Sequence, residues 1–226
     1  MAQHGKKYRQ AKGLVDAQKA YELKEAVALL PQTSTTKFDA SVEIALKTIA
    51  NPRYNDQMIR STIVLPHGTW KSVKIAVFTS EDKVDDVKKL WADIVGSSTL
   101  LKEIEDWTIN FDILLTEPAL MRDLAKVAKI LWPRWLMPSP KAGTVTMNLE
   151  DTIQEVKKWR IEFKLDKSGN IHALVGKLSF DAAKLEDNIT AFIKAVNDNK
   201  PTWVKGKLIR KATIATTMWP GIQIQA

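Results

Sequence analysis

Apolar and polar positions follow one rhythm at the two ends of this chain and another in its middle. The spacing in ELKEAVALL predicts a short helix over 22–30, stopped by Pro31, and the period-two alternation of SVEIALKTI predicts a strand after the polar stretch QTSTTK. NPRYNDQ (51–57) reads as a polar connection, and RSTIVLP (60–66) as a second strand that ends at its proline. From there the pattern changes. VKIAVFT (73–79), the amphipathic DKVDDVKKLWADIV (82–95), FDILLT (111–116) and a helical stretch near 118–131 give a β-α-β-α alternation. Short, nearly continuous apolar strands separated by helices predict an open sheet covered on both faces. NLEDTIQEVKK (148–158) reads as a returning helix with Asn148 as its cap.

After about residue 159 the first rhythm returns. RIEFKLDKSGNIHALVGKL predicts two strands joined at the DKSGN turn, FDAAKLEDNITAFIKAVNDNK a long helix, and KLIRKATIATTM a final strand. Neither end has enough elements for a core of its own, but joined they supply four or five strands and two helices, enough for two layers. The expected fold therefore combines α/β and α+β. A two-layer α+β domain is built from both chain ends (1–66 plus 159–226), and a three-layer, Rossmann-like α/β domain (67–158) is inserted between them.

Charge divides the chain in the same places. Residues 1–65 carry 10 Lys+Arg against 6 Asp+Glu, residues 66–158 carry 13 against 14, and residues 159–226 carry 11 against 6. The basic excess belongs to the ends. That is the pattern of one polyanion-binding unit made from both termini, or of a solvated basic surface. With 45% hydrophobic and 27% charged residues in 226, the chain is long enough for real cores. It has no run of 18 apolar residues, and MAQHGKKYRQAKG is not followed by an apolar stretch, so the expectation is a cytosolic protein with neither membrane span nor signal peptide. The absence of cysteine removes disulfides, thiol nucleophiles and cysteine-ligated metals. Three scattered histidines (His4, His67, His172) make no metal cluster, and no cofactor is expected.

The tryptophans are out of place. Trp70 lies in PHGTWKS, Trp132 and Trp135 in LWPRWLMPSPKAG, Trp203 in NKPTWVKGK and Trp219 in TTMWPG, all settings where turn chemistry asks for glycine. A chain of this length would ordinarily hold roughly 16 glycines. Nine glycines and eight tryptophans together make 17.

Little in the sequence suggests catalysis. HGTWKS resembles the second half of a phosphate loop if Trp70 stands for glycine. The motif's first glycine would fall at Leu65, however, and a strand follows where a helix N-terminus is required. His67 and Lys71 read instead as part of a hinge or a basic surface. Asp85 and Asp86 read as a solvated helix face, and neither a G-x-S-x-G nor an HExxH motif is present. TKFDASVEIAL (36–46) places Lys37 and Phe38 ahead of a strand on which Ser41 and Glu43 share one face. Such a set suits RNA, with a lysine for phosphate, a ring to pack on a sugar or base, and a hydroxyl for a 2′-OH, although Phe38 could equally be core. ATTMWPG (215–221) offers hydroxyls and a methionine at a strand end.

The stretches HGKKYRQ, TKFDASVE, NPRYNDQMIRSTIVLPHGT, PRWLMPSPKAGTV, RIEFKLDKSGNIHALVGK, KPTWVKGK and TTMWPG span nearly the whole chain. In that order they resemble the universal L1 family of bacterial large-subunit ribosomal proteins, the proteins of the mobile stalk beside the exit site. The resemblance implies two domains, with the one formed by both ends binding rRNA, and no enzymatic activity. It implies RNA contact through Lys37, Phe38, Ser41 and Glu43, joined by Thr216, Thr217, Met218 and position 219, with His172 and Lys177 as neighbours. The implied partners are the large-subunit rRNA stalk, exit-site tRNA whose release it assists, and the protein's own operon mRNA as a repressor's target. The protein would act as a monomer within the cytoplasmic ribosome, away from membranes. The competing class is a nucleotide-dependent or RNA-processing enzyme using the middle domain. Against the family, Trp70, Trp91, Trp107, Trp132, Trp135, Trp159, Trp203 and Trp219 all align with positions that commonly hold glycine, which implies a UGA codon meaning glycine at each.

Overall fold

A computed structural model describes residues 5–70, 73–81, 84, 87 and 93–225. Lys71, Asp85, Asp86, Trp91 and His4 lie outside them, as does most of the helix expected over 82–95. The chain divides into two compact units, one made of 1–70 with 161–226 and one of 71–160.

The first unit is built on strands β1 (Ser41–Thr48), β7 (Asn170–Lys177), β8 (Ile209–Thr216) and β9 (Ile222–Ile224), which form an antiparallel sheet of order β7-β1-β8-β9. Alternation along β1 sends Val42, Ile44 and Leu46 inward, each fully buried. They share one buried cluster with residues of helices α2 (Leu23–Thr33) and α7 (Ala182–Asp198), which pack on the neighbouring strands and on each other. Leu185, Ile189, Phe192 and Val196 form the buried stripe of α7, recurring every three or four residues as one helix face does. Phe192 meets Phe163 edge to face, with ring centroids 5.4 Å apart. Phe163 comes from β6 (Arg160–Lys164), which pairs with β2 (Arg60–Val64) in a separate two-stranded sheet where Arg60 bonds Glu162. The outer edge at β9 is covered. Tyr21 donates its N–H to Gln223 O at 2.9 Å and accepts from Gln225 N at 3.0 Å, satisfying an edge that would otherwise invite pairing.

The second unit holds strands β3 (Ile75–Phe78), β4 (Ile94–Gly96) and β5 (Ile113–Thr116), which form a parallel sheet of order β4-β3-β5. Ala76 and Phe78 face a cluster with Leu100 and Ile104 of α3 (Ser98–Glu105), Leu124 of α4 (Met121–Leu124) and Leu131 of α5 (Ala128–Leu131). Ile75 and Val77 face the opposite way, toward Leu149, Ile153 and Val156 of α6 (Leu149–Lys157). Apolar layers therefore cover both faces, which is why β3 reads as an unbroken apolar run.

Several elements differ from the sequence expectation. The helix expected to stop at Pro31 runs on to Thr33, because Pro31 sits in the last turn, where Ser34 N and Thr33 Oγ1 close on Leu30 O at 3.2 and 3.0 Å. The stretch expected to be helical as far as 95 becomes strand β4 from Ile94, since pairing with β3 overrides local periodicity over three residues. Asn148 takes the cap position of α6 without a side-chain cap bond, and its carbonyl instead accepts from Thr152 Oγ1 at 2.9 Å. The expected helix near 118–131 is broken into 3-10 and α turns. Helix α1 (Lys6–Gly13), α3 and β9 are additional elements.

Candidate nucleic-acid interface

The helices of the first unit cover one face of its antiparallel sheet, so alternate residues of β1 are turned away from the core. These are Ser41, Glu43, Ala45 and Lys47. Ser41 lies opposite Lys177 and Glu43 opposite Leu174 on β7; Ala215 and Thr213 of β8 lie opposite Glu43 and Ala45.

The end of this sheet where β1 starts and β8 stops is knitted together through the main chain. Ser41 N donates to Thr217 Oγ1 at 3.1 Å, Thr217 N donates to Ser41 O at 3.0 Å, and Thr217 Oγ1 lies 3.3 Å from the same carbonyl. Lys177 Nζ donates to Asp39 O and to Ser41 Oγ, each at 3.0 Å, and lies 4.2 Å from the centroid of the Trp70 ring. Asp39 in turn accepts from Ser179 N at 3.1 Å and Ser179 Oγ at 2.8 Å. Lys37 and Phe38 occupy the bend before β1, both exposed, with Phe38 at 55%. That exposure settles its position outside the core.

Not every sequence-selected residue faces this end in a usable way. Thr216 is buried, because its register partner is the inward Val42, and its Oγ1 has no hydrogen-bond partner among the described residues. Thr217's hydroxyl is committed to Ser41, so it shapes the loop. Lys177 is likewise a positioning cation whose bonds fix the 39–41 segment. His172 lies opposite Ala45, four residues along β1 from Ser41 and about 14 Å away at strand rise, with Asp166 Oδ2 at 3.7 Å. Met218 is exposed and holds a left-handed backbone, φ 71°, at the tip of the turn closed by Trp219 N to Thr216 O at 3.0 Å. Trp219 buries its Nε1 without an acceptor among the described residues. Asp39, Ser179 and Trp70 belong to the cluster and were missed, since their partners lie more than 100 residues away in sequence.

A sequence model of the ribosomal protein L1p/L10e family matches residues 30–220. The chain belongs to that family. Large ribosomal subunit protein uL1 of Chlorobaculum tepidum is 44% identical over 225 residues, covering 100% of this chain and 97% of the relative. Those of Kosmotoga olearia and Thermosipho africanus are 44% and 45% identical, each covering 99% of this chain and 97% of the relative. L1 proteins are structural and not enzymes, so the enzyme reading is withdrawn. The geometry agrees on one point, since strand β3 follows the HGTWKS segment where a phosphate loop needs a helix.

Proposed function

We propose that the chain is a structural constituent of the large ribosomal subunit, in the cytoplasmic ribosome, and binds the stalk region of large-subunit rRNA through the Ser41–Thr217 end of its first unit. One observation carries this reading. The first unit holds 20 Lys+Arg against 12 Asp+Glu, while the second holds 14 against 14, so the whole net charge of +8 belongs to the unit with the open sheet face. In this reading residues 1–66 with 159–226 form the rRNA-binding domain and 67–158 the inserted one. Lys37 neutralises phosphate, Phe38 packs on a sugar or base, and the rigid main chain of 39–41 and 217–219 reads a folded RNA by shape. Ser41 and Glu43 line the approach, and His172 lies beyond it. Holding the stalk would assist release of exit-site tRNA, and the same surface would bind the protein's own operon mRNA as a repressor.

The test is a titration of the full chain against stalk rRNA and leader mRNA in parallel across a range of salt. Affinity for both RNAs should fall with rising salt, and Phe38→Ala should weaken binding where Asp123→Ala, on the second unit, does not. Equal effects of the two substitutions would remove the assignment.

A further inference from the structure

Seven of the eight tryptophans lie among the described residues, and four of these hold a left-handed backbone: Trp70 (φ 72°), Trp107 (61°), Trp135 (60°) and Trp159 (61°). The only other described non-glycine residue with positive φ is Met218, whereas Gly68, Gly143, Gly169 and Gly206 share the region at 66–77°. A side chain crowds the following carbonyl there, and glycine alone adopts it without penalty.

Three of the four stand at one structural position. After α3, Trp107 N donates to Ile104 O at 3.1 Å and Thr108 N to Glu103 O at 2.9 Å. This is the paired closure of a Schellman motif, whose left-handed residue is usually glycine. Trp135 repeats it after α5, with Trp135 N to Trp132 O at 3.0 Å and Leu136 N to Leu131 O at 3.1 Å. Trp159 follows the cap of α6 and donates to Val156 O at 3.1 Å. The side chains carry a second, independent signal. Trp70, Trp107, Trp132, Trp135, Trp159 and Trp203 are exposed, and Trp219, the exception, buries an indole N–H with no acceptor among the described residues. None of the seven serves the core as an indole ordinarily does.

We propose that all eight positions are glycine in the protein its cell makes, through a codon that is decoded as glycine there and as tryptophan in this sequence. UGA fits, because it lies one base from UGG for tryptophan and one base from GGA for glycine. The consequences reach the candidate interface. Glycine at 70 removes the ring over the Lys177 ammonium. Glycine at 219 removes the unpartnered N–H and leaves the main chain of the 216–220 turn open to close approach; its relevance to RNA rests on the function proposed above, but the identity of the residue does not.

The test is mass spectrometry of the protein isolated from its own cells, intact and as tryptic peptides, including the peptide that follows Lys211 and contains position 219. The expected intact mass is lighter by eight tryptophan-to-glycine differences, and the folded protein should emit fluorescence from its three tyrosines alone. Tryptophan at any of the eight positions overturns the single-codon reading. RNA binding is then compared between the recombinant chain with Trp219 and its Trp219→Gly variant, which is expected to bind more tightly; equal affinity would remove the role assigned to that turn while leaving the mass result standing.

Discussion

Trp132 and Trp135 lie three residues apart at the end of α5, are 74% and 86% exposed, and differ in backbone: Trp132 has φ −63° and Trp135 φ 60°. Replacing each by alanine and by glycine separates the backbone from the indole, because both replacements remove the same ring. At 135, alanine keeps the left-handed penalty of about 1–2 kcal/mol. Glycine escapes it but releases more unfolded-state entropy, about 0.4–1 kcal/mol. Trp135→Gly is therefore expected to be more stable than Trp135→Ala by about 0.5–1 kcal/mol. At 132 the residue is right-handed, and glycine should be less stable than alanine by about 0.5–1 kcal/mol. The sign reverses between the two positions, a contrast of about 1–2 kcal/mol.

Urea unfolding followed by far-UV circular dichroism measures this independently of the tryptophan fluorescence that the substitutions alter. All four variants fall in the second unit, so they perturb the same unit, and an unchanged slope shows that midpoints report stability. Glycine no better than alanine at 135, or the same ordering at both positions, would refute the backbone argument. Trp107 and Trp159 should repeat the ordering seen at 135.

Other expectations follow from individual contacts. Asn188 is fully buried, accepts from His67 N at 3.1 Å and donates to Gly68 O at 3.1 Å and Val175 O at 2.8 Å; Asn188→Ala should cost about 2–4 kcal/mol in thermal or urea unfolding, since it orphans buried main-chain groups. Phe192→Ala should cost about 3–5 kcal/mol by the same measurement, through the cavity left beside Phe163. The N–H of Asn170, then that of Ser168, holds the Asp166 carboxyl below its ordinary range. Its contribution is then present above the unfolded-state value and lost as pH falls through the folded one, so Asp166→Ala should destabilise at neutral pH and converge on the parent in acid. Lys37→Ala should lower rRNA affinity at every sequence tested and reduce the salt slope by about 1.

The sheets were legible in sequence wherever one face is buried. SVEIALKT announces β1 because three inward residues alternate with polar ones, and IAVF announces β3 because both its faces are covered. Elements of three residues were not legible. Strands β4 and β9 exist through pairing with β3 and β8, and no window of three residues carries a period. Pro31 misled for a related reason, since its missing N–H matters less in a last turn closed by Thr33 and Ser34.

The residues of the proposed interface could be chosen by type, but the contacts each one makes could not. A lysine, an aromatic and hydroxyls near the start of a strand suggest RNA, and the exposure of Phe38 keeps that ring available. Whether a hydroxyl faces outward depends on register, which is set by a partner strand about 170 residues away: Thr216 lies opposite inward Val42 and is lost to the core, while Thr217 is consumed by Ser41. Lys177 could be chosen from the sequence but not understood, because its bonds to Asp39 and Ser41 and the ring of Trp70 above it come from two other segments, both more than 100 residues away. Displaced glycines were legible in part. Turn chemistry singled out Trp70 and Trp135, whose backbones are left-handed, but also Trp132, whose backbone is right-handed. Trp107 and Trp159 were reached only through the family's glycines, because nothing in EIEDWTIN or KKWRIE marks a helix end until the closing hydrogen bonds are seen in the backbone itself.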